Sequence, residues 1–242
     1  MKLIIADDYA SLSQQAADDL IELVKDYPTP VVCTASGDTP AGLYKMLVEK
    51  SIKENTSFDH WYFVGLDEWT GMNGTDQGSC RYHLNNQLLL PLKIQEERII
   101  FPDGRANDLQ GECNRIENFI RQHAGIDVSI LGLGMNGHIG MNEPGTAANA
   151  RTHISELDPL TQQVGQKYFA AATPLTTGIT LGLGTLLESK HIILLVSGKH
   201  KASIIKEVLE GAVSNTIPGT LLRNHPGLSV YLDKDAAALL NS

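Results

Sequence analysis

The sequence predicts an α/β fold in which helices cover both faces of a mainly parallel sheet. Three observations carry this. Short β-branched apolar runs alternate with longer amphipathic segments, in strand–helix–strand order. The runs are nearly continuous in apolar residues, as strands covered on both faces are. The 242 residues contain no repeat, low-complexity tract or Pro/Ser-rich linker, so residues 1–242 read as one domain.

The elements follow in order. Lys2–Ala6 is an apolar run, and Ser11–Lys25 places Ala16, Leu20, Leu23 and Val24 on one helical face. Val31–Ala35 and Trp61–Leu66 are strands on either side of a helical pattern over Pro40–Lys53. Arg81–Leu89 reads as a helix before the run Arg98–Phe101, and Leu109–His123 as a helix before the strand Asp127–Leu133. From Gly134 to Pro159 the alternation stops. Gly137, Gly140, Pro144 and Gly145 prevent a regular helix there, so a long irregular loop is expected, with Pro144–Arg151 as a candidate lid. His191–Ser197, His200–Leu209 and Leu228–Leu232 complete the pattern as strand, helix and strand. Long loops in compact domains are usually functional, and parallel sheets bind ligands beyond the carboxyl ends of their strands.

Composition narrows the class of function. Hydrophobic residues make up 42% and charged residues 19%, enough apolar material for a core and too little charge for disorder. Nineteen basic residues against twenty-eight acidic ones leave a net charge of −9, which argues against a nucleic-acid or membrane partner but not against a small anionic substrate. No run approaches the roughly 20 apolar residues of a membrane span, and the opening MKLIIADDYA has no signal-peptide core. Cys33, Cys80 and Cys113 form no CxxC pair, so neither a disulfide framework nor a structural zinc is expected. The expectation is a reduced, cytoplasmic protein.

The motifs fall just after strands. Ser36-Gly37-Asp38-Thr39-Pro40 offers hydroxyls, a glycine for close backbone approach and a proline suited to the first helical position, and such a turn binds anions. A plain capped βα turn is the alternative reading. Asp67 and Glu68 in Leu66-Asp-Glu-Trp69 send one carboxylate toward the crevice above the sheet and the other away. One suits a general base and the other can orient a neighbour, although an Asp capping a turn is common. Gly132-Leu-Gly-Met-Asn-Gly137 matches GxGxxG, but no helix can follow it, so a dinucleotide site is not expected. His138 and Glu143 lie five residues apart on a Gly-rich loop, a pair that can shuttle a proton near neutral pH. One carboxylate beside one His is a poor metal-ligand set. In Ser197-Gly-Lys-His-Lys201, lysines at a helix start oppose the helix dipole unless an anion offsets them.

Taken together, Ser36-Gly-Asp-Thr-Pro40, Leu66-Asp-Glu-Trp69, the stretch Leu131–Gly145 containing Gly-His-Ile-Gly-Met-Asn-Glu-Pro-Gly, and Lys201 resemble the amino-sugar phosphate deaminase family, the glucosamine-6-phosphate deaminase/isomerases, over essentially the whole chain. The resemblance implies a Rossmann-like three-layer αβα fold with a mainly parallel sheet, and a hydrolase-class enzyme coupling ketol isomerisation to loss of ammonia. It implies Asp67 as the base moving a proton between C2 and C1, His138 as the ring-opening group, and Glu143 as the residue that holds and tunes it. Asn136 stands where many members carry Asp. Lys201 matches the phosphate lysine, and Ser36, Gly37, Asp38 and Thr39 match the phosphate loop. No metal or organic cofactor is required.

Lys167 occupies the place of a phosphate-binding Arg and offers a point charge in place of a fork. Lys167, Trp69, the His153–Asp158 stretch and Thr177–Leu183 resemble the branch assigned to galactosamine-6-phosphate, which inclines the expected substrate that way over glucosamine-6-phosphate. The products would be tagatose or fructose 6-phosphate. His153 and Ser155 replace basic residues of an allosteric site, so activation by an N-acetyl-sugar phosphate is not expected. A homo-oligomer stays open because relatives vary. The competing readings are a 6-phosphogluconolactonase-like lactonase, whose chemistry needs no base at C2, and a non-catalytic sugar-phosphate sensor.

Overall fold

The computed structural model describes residues 1–241. Among these residues, seven parallel strands form the main sheet: β1 (Lys2–Ala6), β2 (Val31–Thr34), β3 (Tyr62–Gly65), β5 (Ile99–Ile100), β6 (Val128–Gly132), β9 (His191–Val196) and β10 (Leu228–Asp233), in the spatial order β1-β10-β9-β6-β2-β3-β5. The chain winds outward from β2 through β3 to β5, then resumes at β6 and winds the other way. The switch point lies between β2 and β6, and their carboxyl ends share one edge of the sheet.

Period-two alternation divides the strand side chains between two cores. Ile193 and Leu195 of β9 join Val32, Phe63 and Tyr231 on one face, packed beneath α1 (Tyr9–Val24) and α2 (Asp38–Glu54). Ile192, Leu194 and Val196 join Cys33, Val64 and Leu131 on the other, beneath α4 (Leu109–Gln122), α6 (Leu183–Leu187) and α7 (Ala202–Glu210). Helix starts follow capping chemistry. Asp8 accepts the Ser11 amide at 2.7 Å to cap α1, and Asp108 accepts the Gly111 amide at 2.9 Å to cap α4. The buried Tyr44 hydroxyl of α2 donates to the Ala35 carbonyl at 2.6 Å, fastening the helix to the end of β2.

Two expectations are corrected. The segment Gly134–Pro159 is not irregular throughout: His153–Glu156 is a strand, β7, in a second, antiparallel sheet with β8 (Thr177–Thr180) and β4 (Asp67–Trp69). These strands have three or four residues each, too short for an alternation pattern to register. Arg81–Leu89 is not one continuous helix. A single α turn, α3 (Cys80–Leu84), passes into a π turn over Asn85–Leu89. No helix among the described residues is long and apolar enough to cross a membrane.

Candidate active site

A cavity of about 710 Å³ opens above the carboxyl ends of β2, β3, β6 and β9. Ser36, Gly37, Asp38, Thr39, Asp67, Asn136, His138, Lys167 and Lys201 all line it. Glu143 stands behind the wall and reaches the cavity through His138.

Asp67 and Glu68 point in opposite directions, as successive residues of β4 must. Asp67 faces the cavity and is almost fully buried, and burial pushes its carboxyl up to about 6 against a Cys80 hydrogen bond and the field of His138. Such a group ionises near neutral pH while keeping real basicity. Glu68 is fully buried and turned away. It accepts the Trp69 and Cys80 amides at 2.9 Å and the Arg81 amide at 3.1 Å, closing the loop between β4 and α3. Burial lifts it to about 7 despite those amides.

The imidazole is held from several sides. His138 Nδ1 lies 3.3 Å from Glu143 Oε2, and Asn136 Nδ2 donates to that same oxygen at 2.9 Å. The Asn136 side-chain oxygen accepts the His138 amide at 3.1 Å, so Asn136 braces both partners. Burial opposes the Glu143 charge, but the hydrogen bond and field of His138, with Thr161 and Asn136, outweigh it and keep the carboxyl below its ordinary value. Beneath the ring lies Gly134, where a Cβ would come within 2.4 Å of imidazole atoms. Only glycine admits the ring at that height.

Another part of the cavity wall carries lysines. Gly37, at φ +112°, precedes the first turn of α2, whose free amides and dipole suit an anion. Lys201 donates to the Leu133 carbonyl at 2.5 Å, and burial together with the charge of Lys167 lowers it to about 8. Lys167 pairs with the Asp38 carboxylate at 2.5 Å. Burial works against the Lys167 charge, yet Asp38 and Tyr168 hold it above its ordinary value. Asp38 can therefore serve an anion only through its backbone, since its side chain is the ligand of Lys167. Lys199 is exposed and outside the cavity wall, so of the two lysines in that turn Lys201 alone faces the site.

The expected lid is also corrected. Residues 144–151 do not line the cavity. Gly145 and Ala150 are tied to Asn215 and Gly184 by backbone hydrogen bonds at 2.8 Å. The segment over the cavity is α5 (Pro159–Gly165) with the turn after it, contributing Leu160, Thr161, Val164, Lys167 and Tyr168. Sequence reasoning missed this helix, although Asp158-Pro159 is a start signal: Asp158 caps the Leu160 amide at 2.8 Å and Pro159 takes the first position. It missed Cys80 and Tyr168 as well, whose placement depends on tertiary packing. Among the described residues no group of three or more His, Cys, Asp or Glu side chains is placed to hold a metal.

Comparison with known proteins agrees with this geometry. The family described as glucosamine-6-phosphate isomerases/6-phosphogluconolactonase matches residues 7–230. A glucosamine-6-phosphate deaminase of Bacillus velezensis is 39% identical over 238 residues, covering 98% of this chain and 99% of that one. Glucosamine-6-phosphate deaminase 1 of Bacillus subtilis is 37% identical over 240 residues, covering 99% of each. The solved structure of a monomeric glucosamine-6-phosphate deaminase superposes with a TM-score of 0.95 at 37% identity, over 99% of this chain and 100% of that one. A 6-phosphogluconolactonase from Trypanosoma cruzi superposes at 0.77 with 22% identity, over 100% of this chain and 97% of that one, a likeness of fold.

Proposed function

Because the chain belongs to the family of glucosamine-6-phosphate isomerases and 6-phosphogluconolactonases, we propose that its cavity performs a deaminating ketol isomerisation of a 2-amino-2-deoxyhexose 6-phosphate, releasing ammonia and a ketose 6-phosphate. One observation carries this reading. A cation-lined anion end and two separate proton-handling groups, Asp67 and the His138–Glu143 pair, share one cavity.

The phosphate sits against the first turn of α2, with the Ser36 and Thr39 hydroxyls, Lys201 and Lys167. This anchors the sugar so that its other end meets the remaining groups. His138 takes the proton from the anomeric hydroxyl and returns it to the ring oxygen, opening the pyranose. Glu143, kept ionised, stabilises the charged imidazole between the two transfers. In the open chain Asp67 removes the C2 proton and delivers it to C1. The double bond moves from C1–O to C2–N as the nitrogen gives up one proton and O1 gains one to become a hydroxyl, and water hydrolyses the resulting imine to ketone and ammonia. Hydrolysis of a lactone needs no base at C2, so the Asp67 carboxylate favours the isomerase over the lactonase. Filled acid and base roles favour catalysis over a sensor.

Glucosamine-6-phosphate, giving fructose 6-phosphate, is the substrate we propose. The inclination toward galactosamine-6-phosphate drawn from Lys167 and Trp69 gains no support from relatives named for glucosamine. Incubation with glucosamine-6-phosphate tests the reading: the native chain releases ammonia, and Asp67→Asn does not. Equal ammonia from both proteins would remove Asp67 from the mechanism.

A further inference from the structure

Glu143 is not the sole partner of the ring-opening imidazole. Thr161 Oγ1 lies 3.1 Å from His138 Nδ1, nearer than Glu143 Oε2 at 3.3 Å, and Thr161 is nearly buried in the cavity wall. It comes from a different part of the chain, the third position after the Asp158 cap on α5. Glu143 already accepts the Asn136 amide on the oxygen that faces the ring, so that oxygen serves two donors at once.

From this geometry we infer that Thr161 is a positioning residue for the proposed reaction. Its hydroxyl accepts the Nδ1 proton of His138 and fixes the rotation of the ring, so that Nε2 faces the sugar. The inference rests on the deaminating-isomerase reading and deepens it. An ionised Glu143 cannot donate to Nδ1, so the proton resides on Nδ1 and Nε2 is left free to receive one from the substrate. Two acceptors at different angles hold a planar ring against rotation where one would leave it free to swing. Because Thr161 rides on α5, the seat of that helix and the aim of the imidazole are set together. Lys167 lies six positions further along, at the start of the anion end. A contact there therefore bears on the same short segment that steadies His138, a route by which phosphate binding serves the reacting end of the sugar.

The test pairs Thr161→Val, which keeps the shape and removes the hydroxyl, with Thr161→Ser, which keeps the hydroxyl. Steady-state ammonia release and the imidazole N–H resonance of His138 are measured in the full chain. The Val variant is expected to lose roughly tenfold in kcat with KM within about twofold, the size of one lost hydrogen bond at a reacting group. The Ser variant is expected to keep kcat within about threefold of the native chain. The Nδ1–H resonance should keep its position and slow exchange in the native and Ser chains, and shift and exchange faster in the Val chain, where Glu143 alone accepts the proton. An unchanged kcat and resonance in Thr161→Val would overturn the inference, leaving Thr161 as packing for α5. So would a Ser variant as impaired as the Val one. The resonance is read without substrate, so it decides the hydrogen bond even if neither amino sugar yields ammonia, an outcome that would remove the proposed reaction instead.

Discussion

Replacing Gly134 by alanine isolates the placement of the imidazole from everything else in the site. The φ of Gly134 lies outside the left-handed region, so the backbone accepts alanine without strain. The added Cβ would stand 2.4 Å from Cδ2 and Nε2 and 2.5 Å from Cε1 of His138. Carbon contacts are comfortable from about 3.5 Å, so the ring must withdraw by about 1 Å. Glu143 and Thr161 both lie on Nδ1, and the displaced edge is the one that carries Nε2 toward the substrate. A misplacement of about 1 Å costs on the order of 100-fold in rate. Gly134→Ala should therefore lower kcat by about two orders of magnitude while inorganic phosphate binds within about twofold of the native affinity, because the α2 turn and Lys201 are untouched. Ammonia release coupled to glutamate dehydrogenase measures the first, calorimetric titration the second, and the melting temperature shows whether the fold is intact. A variant with native melting behaviour and kcat within about threefold of native would refute the reasoning, since the ring would then have slack that the structure does not show.

Other consequences follow from the charges in the cavity. Asp67 must be ionised to take a proton, and burial sets its carboxyl at about 6, so kcat/KM should rise with pH through about 6; a limb in the ordinary carboxyl range would contradict the burial argument. The folded pKa lies above the ordinary carboxyl value of 3.8, so the charged form weighs on the fold as pH rises between the two and fully above 6. Asp67→Asn should therefore melt higher than the native chain at pH 8, lose that advantage at pH 4, and be inactive at both; a lower melting point at pH 8 would count against the assigned burial cost. Lys201 loses its charge above about 8 in the empty site, so inorganic phosphate should bind more weakly as pH passes that value, and Lys201→Met should raise KM far more than it lowers kcat. Loss of kcat alone would move Lys201 out of the anion end. Asp38 competes with an anion for Lys167, yet the pair is exposed, so Asp38→Asn should tighten inorganic phosphate by less than about fivefold, and weaker binding would show the carboxylate to be structural instead.

The main sheet was legible because its strands read as nearly continuous apolar runs separated by well-patterned helices, not because they are long. The second sheet was not. β4, β7 and β8 are short and lie outside the strand–helix alternation, and β4 joins β8 only across more than 100 positions, as between Asp67 and Thr180. The chemical groups were readable for a similar reason: Asp67, His138, Glu143 and Lys201 sit on the segments that follow strands, where a parallel sheet gathers its ends. Sequence reading paired Lys167 with an anion and placed Asp38 in the phosphate loop, but only three dimensions bring the two together across 129 positions. Thr161 escaped notice because its helix begins where the expected loop ends, at Pro159, and no element was read from there to His191. The Asp158-Pro159 signal was present, and glycine density upstream of it obscured the start.

The proposed reaction moves a proton at C2 of an amino sugar phosphate and expels ammonia. The most direct test gives the purified chain glucosamine-6-phosphate and 6-phosphogluconolactone in parallel and measures ammonia, ketose 6-phosphate and lactone loss. Ammonia and fructose 6-phosphate should form in equal amounts from the first, with no acceleration of the second. Lactone hydrolysis with no ammonia from the amino sugar would contradict the proposed reaction.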